Sequence, residues 1–457
     1  VASLTLAILT VYLLAVAAFG FVYRRRAGAS PEAFFVADRS LSTFWGFVGL
    51  ASLTTGGSTT IVLASLVLAH GLSGLWLDLA GALGLLVLAL TLARRVRREG
   101  AVTLPEILGR RYGMGARRVA AILVLASEIA WFALLVTAAQ KVLTPALALP
   151  PGVAIVASTA VFVLYTAMGG HYAVARTDAV QYGLMLLAIP GIALVSALRA
   201  ASGAPALPTE VWSFPTSATV SASDIVAMLV LVGLPHLVGS DVWLKISSCR
   251  DEATARRATL LAAGSKLLFG LAVAAVALAA RAALPPMPPE ETLPRAVMAF
   301  APPVLAALVL VALVATMQTS ADVVLLSASA VTVRDLFPLP ASTKPVAAAR
   351  LLSVVYGGLG LAVAFALNAS VLGALRLAYS IFAAGLILPS LTALAPPAFR
   401  VPPAGAITAM AMGGGVAAAG RIPGFLPGRL DPVLAGTGVC LCVLLVAWLL
   451  RRPGQAS

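Results

Sequence analysis

Apolar stretches of about twenty residues recur along the whole chain, and this recurrence limits the fold more than any single motif does. A helix needs about 20 mostly apolar residues to cross a bilayer. Windows of that size mark thirteen spans, at 3–23, 44–70, 72–93, 119–142, 152–169, 178–198, 223–244, 258–280, 302–332, 347–367, 371–395, 403–419 and 431–450. The reading is an all-α membrane protein with about 13 transmembrane helices, in one integral membrane domain over 1–457. Composition agrees: 61% of the 457 residues are hydrophobic and 11% charged, whereas soluble proteins are about a quarter charged. A soluble globular enzyme is excluded.

The placement of charge gives the orientation. Arg24, Arg25 and Arg26 follow the first apolar stretch, whereas a cleaved signal carries its basic residues before it. The first span therefore reads as a retained anchor, with the N-terminus outside and the C-terminus cytoplasmic in the cell (inner) membrane. On that assignment 23 of the 31 basic residues fall on the cytoplasmic side, as the positive-inside rule requires. The net charge of +14 thus reports topology and calls for a lipid bilayer, not nucleic acid, as partner. The loops are short, and segment 104–116 reads as an amphipathic cytoplasmic helix. Cys249, Cys440 and Cys442 form no disulfide or metal pattern, and His70, His171 and His236 are scattered. No nucleophile–base pair or cofactor loop is present, so neither an enzyme nor an organic cofactor is expected.

Seven ionisable side chains fall inside or at the edge of spans: Asp78, Glu128, Asp178, Asp241, Lys266, Asp322 and Arg376. Each would cost about 2.5–3.5 kcal/mol facing lipid, so the set implies a polar interior. Two spans also carry helix-breaking signals. Span 2 holds Gly56 and Gly57 within a run of Thr and Ser, and span 7 holds Gly233, Pro235 and Gly239. Each begins a block of five helices, at 44–198 and 223–395, with one span (3–23) before them and two (403–450) after. An odd-length repeat inverts its second copy, so matching breaks meet near the midplane, the sequence signature of a transporter binding site. Span 9 adds Thr319, Ser320 and Asp322. Oxygen ligands without thiolate or imidazole suit a hard cation, and hydroxyls with carbonyls suit a monovalent one. The bland alternative bonds the hydroxyls to carbonyls one turn back.

The segments FFVADRSLSTFWGFVGLASLTTGGST, GLSGLWLDLAGALG, RREGAVTLPEILGRRYG, YTAMGGHYAVARTDAVQ, DEATARRATLLAAGSK and ATMQTSADVVLLSASAVTVRDLF together resemble the sodium/solute symporter family. The resemblance covers roughly residues 30–335 and implies a LeuT-like five-plus-five inverted repeat with one extra N-terminal and two extra C-terminal helices. It implies a sodium site made of the carbonyls of Ser52, Thr55 and Thr316 and the hydroxyls of Thr319 and Ser320. It places Asp178 near an ion exit path or second ion site. Members with a second sodium have serines where this chain has Asp322 and Val323, so one coupling Na+ is expected. For the solute it implies Ser58 and Thr59 in the broken helix, Asp78 in span 3 and Lys266 in span 8. Pro235 or a neighbour stands where sugar carriers have an aromatic gate. Arg376 is a further anion partner, since guanidinium binds carboxylate bidentately, although Lys266 and Arg376 equally suit neutralising Asp78 or Asp241.

The expected function is sodium-coupled import of a small polar organic solute by alternating access, with the two bases favouring carboxylate-bearing solutes and no obligate protein partner. The alternatives are proton coupling through Asp178, Asp241 or Asp322, and a transporter-like membrane sensor. Kinase-fused sensors exist in that family, and no such extension follows Arg451.

Overall fold

The computed structural model describes residues 1–27, 29–338, 345–367, 370–396, 399–422, 424–427 and 430–451, without the side chains at 24–27, 31, 57, 58, 169 and 345. Eleven helices among these residues are long and apolar enough to cross a membrane. The thirteen sequence spans exceed them by two for geometric reasons. Thr59–Thr91 joins half of span 2 to span 3 through the tight turn at Gly71–Leu75, and Pro403–Ala419 is one short apolar helix. Every sequence span coincides with a helix or a broken helix.

Local chemistry sets where the helices begin. Proline occupies the first turn of spans 5, 9, 12 and 13, at Pro151, Pro303, Pro403 and Pro432, where its missing N–H has no intrahelical partner to lose. Asp251 caps span 8 by accepting from the Thr254 N–H at 2.7 Å. Thr103 caps the amphipathic helix in the same way, accepting from the Glu106 N–H at 3.2 Å. Gly113 (φ +85°) turns the chain from that helix into span 4, and Gly170 (φ +56°) turns it from span 5 into span 6, in a backbone region that glycine enters without steric cost.

Two boundaries differ from the sequence reading. Span 6 begins at Gly170 rather than 178, because its polar first turns find buried partners: Thr177 bonds Tyr165 at 2.8 Å and His171 bonds Ser248 at 3.2 Å. Span 7 runs on to Ser247, which places Lys245 inside the protein, 1% exposed, rather than in a cytoplasmic loop. Without Lys245, the basic residues that the sequence assigns to the cytoplasmic side number 22 rather than 23.

Span 9 (Pro303–Leu336) is the central post and is buried along almost its whole length. It packs against spans 1, 2, 4, 5 and 10. Spans 2 and 7 are the interrupted helices. Span 2 consists of Thr43–Thr54 and Gly57–His70. In span 7, Leu234–Val238 is separated from Ser240–Ser247 at Gly239. The other glycines act differently. Gly57 is the first residue of a helix, not part of the gap. Gly233 keeps helical dihedrals at the end of a π turn and lies flat against Ala80 of span 3, where a Cβ would come within 3.0 Å of the Ala80 carbonyl.

Candidate cation and solute site

The break in span 2 leaves the carbonyls of its first half without helical partners. Span 9 faces them with hydroxyls. Thr319 Oγ1 lies 3.4 Å from the Ser52 carbonyl and 2.9 Å from the Thr316 carbonyl, and Ser320 Oγ lies 3.3 Å from the Leu53 carbonyl. All five residues are buried. Gly56 makes this approach possible: a Cβ there would stand 2.5 Å from Ser320 Oγ. Contacts of 3.3–3.4 Å are long for hydroxyl hydrogen bonds. They match the spacing of two ligands set at right angles about 2.4 Å from a hard cation of calcium's size. The donor set is neutral oxygen throughout and fits a monovalent cation. Thr319 also makes the bond one turn back, so the bland alternative and the cross-helix contact are both realised.

Thr55 is buried at the same break, but its carbonyl accepts from Thr60 Oγ1 at 3.1 Å. That carbonyl keeps a second lone pair, and the Leu53 carbonyl is a further oxygen facing the hydroxyls. Carbonyl ligands carry no residue-type signal, so the Leu53 contact was invisible in sequence.

Beside this nest lie two fully buried ion pairs. Lys245 pairs with Asp178, and the absence of a Cβ at Gly49 lets span 2 lie against both, at 3.4 Å from each charged atom to that Cβ position. Lys266 donates to Asp78 Oδ1 at 2.6 Å and to the Thr54 carbonyl at 2.6 Å. Asp322 accepts from Thr166 at 2.6 Å through Oδ1, while its Oδ2 is buried without a hydrogen-bond partner among the described residues. Nearby, Tyr12 donates to Gln318 at 2.8 Å and accepts from Gln181 at 2.5 Å, joining spans 1, 6 and 9.

A cavity of about 50 Å³ opens between spans 2, 4, 7 and 11. Its wall includes Thr54 and Thr59, Glu128 and Trp131, Pro235, His236 and Asp241, and Tyr379 and Phe382. Of the residues expected to hold solute, Thr59 and Pro235 are there, and the side chain of Ser58 lies outside what the structure describes. Asp78 and Lys266 do not line the cavity; of the two roles the sequence left open for Lys266, solute contact and neutralising Asp78, the structure shows the second, behind the span 2 break. Arg376 is a correction. Its side chain is exposed, and its charge acts on Asp224 at the start of span 7. The wall residues that the sequence left unassigned are Glu128, Trp131, His236, Tyr379 and Phe382. Glu128 and Trp131 are three apart on one helix face. Glu128 and Asp241 were visible as intramembrane acids, but nothing in sequence brings spans 4, 7 and 11 together.

A model of the sodium:solute symporter family matches residues 34–413. A stretch of 155 residues is 29% identical to the high-affinity choline transporter 1 of Caenorhabditis elegans, covering 34% of this chain and 27% of that protein. Another of 162 residues is 30% identical to an uncharacterised symporter of Cupriavidus necator, covering 34% and 24% respectively. The matched stretches thus span about a quarter of each relative. The substrate-bound outward-open structure of a Na+-coupled sialic acid symporter aligns with a TM-score of 0.83 over 99% of both chains at 18% identity. A closed nucleobase-cation-symport-1 family transporter with bromovinylhydantoin bound aligns at 0.59 over 92% of this chain and 94% of that one, at 16% identity. The fold is therefore the LeuT-like inverted repeat, and the family and structural neighbours are transporters rather than enzymes.

Proposed function

The chain belongs to the sodium:solute symporter family, and on that premise we propose that it is a sodium-coupled symporter importing a small polar organic solute by alternating access. The observation that carries the reading is the oxygen nest of Ser52, Leu53, Thr316, Thr319 and Ser320 at the span 2 break. Sodium bound there ties the first half of span 2 to span 9. It biases the conformational equilibrium because the ligands come from two helices and converge only when those helices are in contact. Solute binds in the cavity next to Thr54 and Thr59, on the same broken helix. Blocks 44–198 and 223–395 are the two units that rock against each other. The N-terminus lies outside and the C-terminus in the cytoplasm, in line with the basic residues.

A saturable 22Na+ binding signal on purified protein, displaced by unlabelled sodium and not by potassium, is the expected result. In proteoliposomes, an inward sodium gradient drives accumulation from a labelled mixture of small metabolites above a potassium control. Binding indistinguishable from background, or uptake equal in potassium, contradicts the reading.

One observation favours proton coupling as a second reading. Asp322 is 1% exposed, its Oδ2 has no hydrogen-bond partner among the described residues, and it lies close to the Asp178–Lys245 pair. Uptake driven by a pH gradient in sodium-free medium, and abolished by Asp322→Asn, identifies that mechanism.

A further inference from the structure

The cavity wall presents acceptors and aromatic faces. Among its lining residues there are two carboxylates, Glu128 and Asp241, and no lysine or arginine. The nearby ammonium groups are already engaged, Lys266 by Asp78 and the Thr54 carbonyl, and Lys245 by Asp178. Glu128 is 7% exposed, and its Oε1 accepts from Ser327 at 2.8 Å. Its Oε2 has no hydrogen-bond partner among the described residues. Asp241 Oδ1 accepts from the Val242 N–H at 2.8 Å, which leaves Oδ2 for a ligand.

His236 also lines the cavity, with its Nε2 edge turned toward Gly81 of span 3. Its Nδ1 lies 2.8 Å from the Val232 carbonyl, which can only accept, so Nδ1 donates. In the neutral ring Nε2 is then an acceptor. Trp131 and Tyr379 meet edge to face with centroids 4.5 Å apart, and the His236 ring lies 6.4 Å from Tyr379. Phe382 extends this wall by one turn.

We propose that this cavity binds a compact organic ammonium ion, held by the Glu128 and Asp241 carboxylates and enclosed by Trp131, Tyr379 and Phe382. The proposal rests on the symporter reading and replaces the preference for carboxylate-bearing solutes that Lys266 and Arg376 suggested. Uncompensated buried carboxylates are costly, and a cationic ligand supplies the missing charge. An anion adds repulsion, and a neutral sugar leaves both charges unmet. Aromatic faces attract alkylammonium groups through their quadrupoles, most strongly where water is excluded.

The test is thermal stability of the purified full chain in sodium buffer, titrated with tetramethylammonium, 2-aminoethanol, tert-butanol, acetate and glucose. The ammonium probes should raise Tm saturably and the neutral and anionic ones should not. Glu128→Gln, which keeps the acceptor for Ser327, should weaken ammonium binding at least tenfold while the sodium-induced rise in Tm persists. If Glu128→Gln loses the sodium response as well, Asp241→Asn carries the same comparison. Three results overturn the proposal: acetate, glucose or tert-butanol binding as tightly as the ammonium probes; an ammonium response unchanged in the variant; or no ammonium response while sodium still stabilises. Absence of any sodium response refutes the symporter reading instead.

Discussion

The two helix breaks are formed alike and finished differently. Gly56 (φ −52°, ψ 160°) and Gly239 (φ −51°, ψ 134°) take nearly the same extended conformation, as expected of matching positions in an inverted repeat. At span 2 the freed carbonyls are met from outside. Span 9 brings the hydroxyls of Thr319 and Ser320, and span 8 brings Lys266 to the Thr54 carbonyl. At span 7 the segment largely closes on itself. The Gly239 N–H donates to the Pro235 carbonyl at 2.6 Å, Trp243 Nε1 donates to the Leu237 carbonyl at 3.1 Å, and Asp241 accepts from the Val242 N–H. Its contact to span 9 is the 3.1 Å hydroxyl pair of Ser240 and Ser327. Ser320 and Ser327 are seven residues apart on span 9, hence on one face about 10 Å along the axis. On the proposed function the two breaks divide the labour: the open one is the cation's, and the closed one positions the acid Asp241 at the cavity.

The largest effect is expected where the open break depends on a charge from elsewhere. Lys266→Met leaves Asp78 buried without its cation and should cost about 3–5 kcal/mol of stability, with much of it recovered in the Asp78→Asn/Lys266→Met double variant. An unchanged Tm in the single variant would show that the break does not need its brace. Next come the two glycines. Gly56→Ala drives a Cβ against Ser320 Oγ and should weaken sodium binding about tenfold, or roughly 1.4 kcal/mol. Gly239→Ala places its Cβ 2.7 Å from Asp241 Oδ1 and should weaken solute binding while sparing sodium. Equal sodium isotherms for the two variants would erase the distinction between the breaks. The smallest effect is that of Trp243→Phe, which removes one hydrogen bond at the closed break and should cost about 0.5–1.5 kcal/mol without altering sodium affinity. A large sodium defect in that variant would mean that the closed break also serves the cation.

Hydropathy and glycine placement made the spans and both interrupted helices legible, because bilayer thickness and backbone bonding leave few alternatives. Thr319 and Ser320 were legible as adjacent hydroxyls inside an apolar span, where polar side chains are costly unless they face a polar interior. Leu53 was not, since its contribution is a carbonyl. Lys245 reads as a loop residue because it ends an apolar run, and only the packing of spans 6 and 7 shows it paired with Asp178. Lys266 reads equally as a ligand for solute or as a partner for Asp78 or Asp241, and only the contact between spans 3 and 8 decides for Asp78. The cavity wall was least legible, because Trp131, Tyr379 and Phe382 resemble any membrane-helix aromatics until four spans converge.

On the proposed function, sodium sits between the first half of span 2 and the hydroxyls of span 9. Equilibrium binding of 22Na+ to Thr319→Ala/Ser320→Ala, set against the parent protein at equal ionic strength, addresses it most directly. At least a tenfold loss of sodium affinity in a variant of near-parental Tm is the predicted result, and an isotherm superimposable on the parent's contradicts the account.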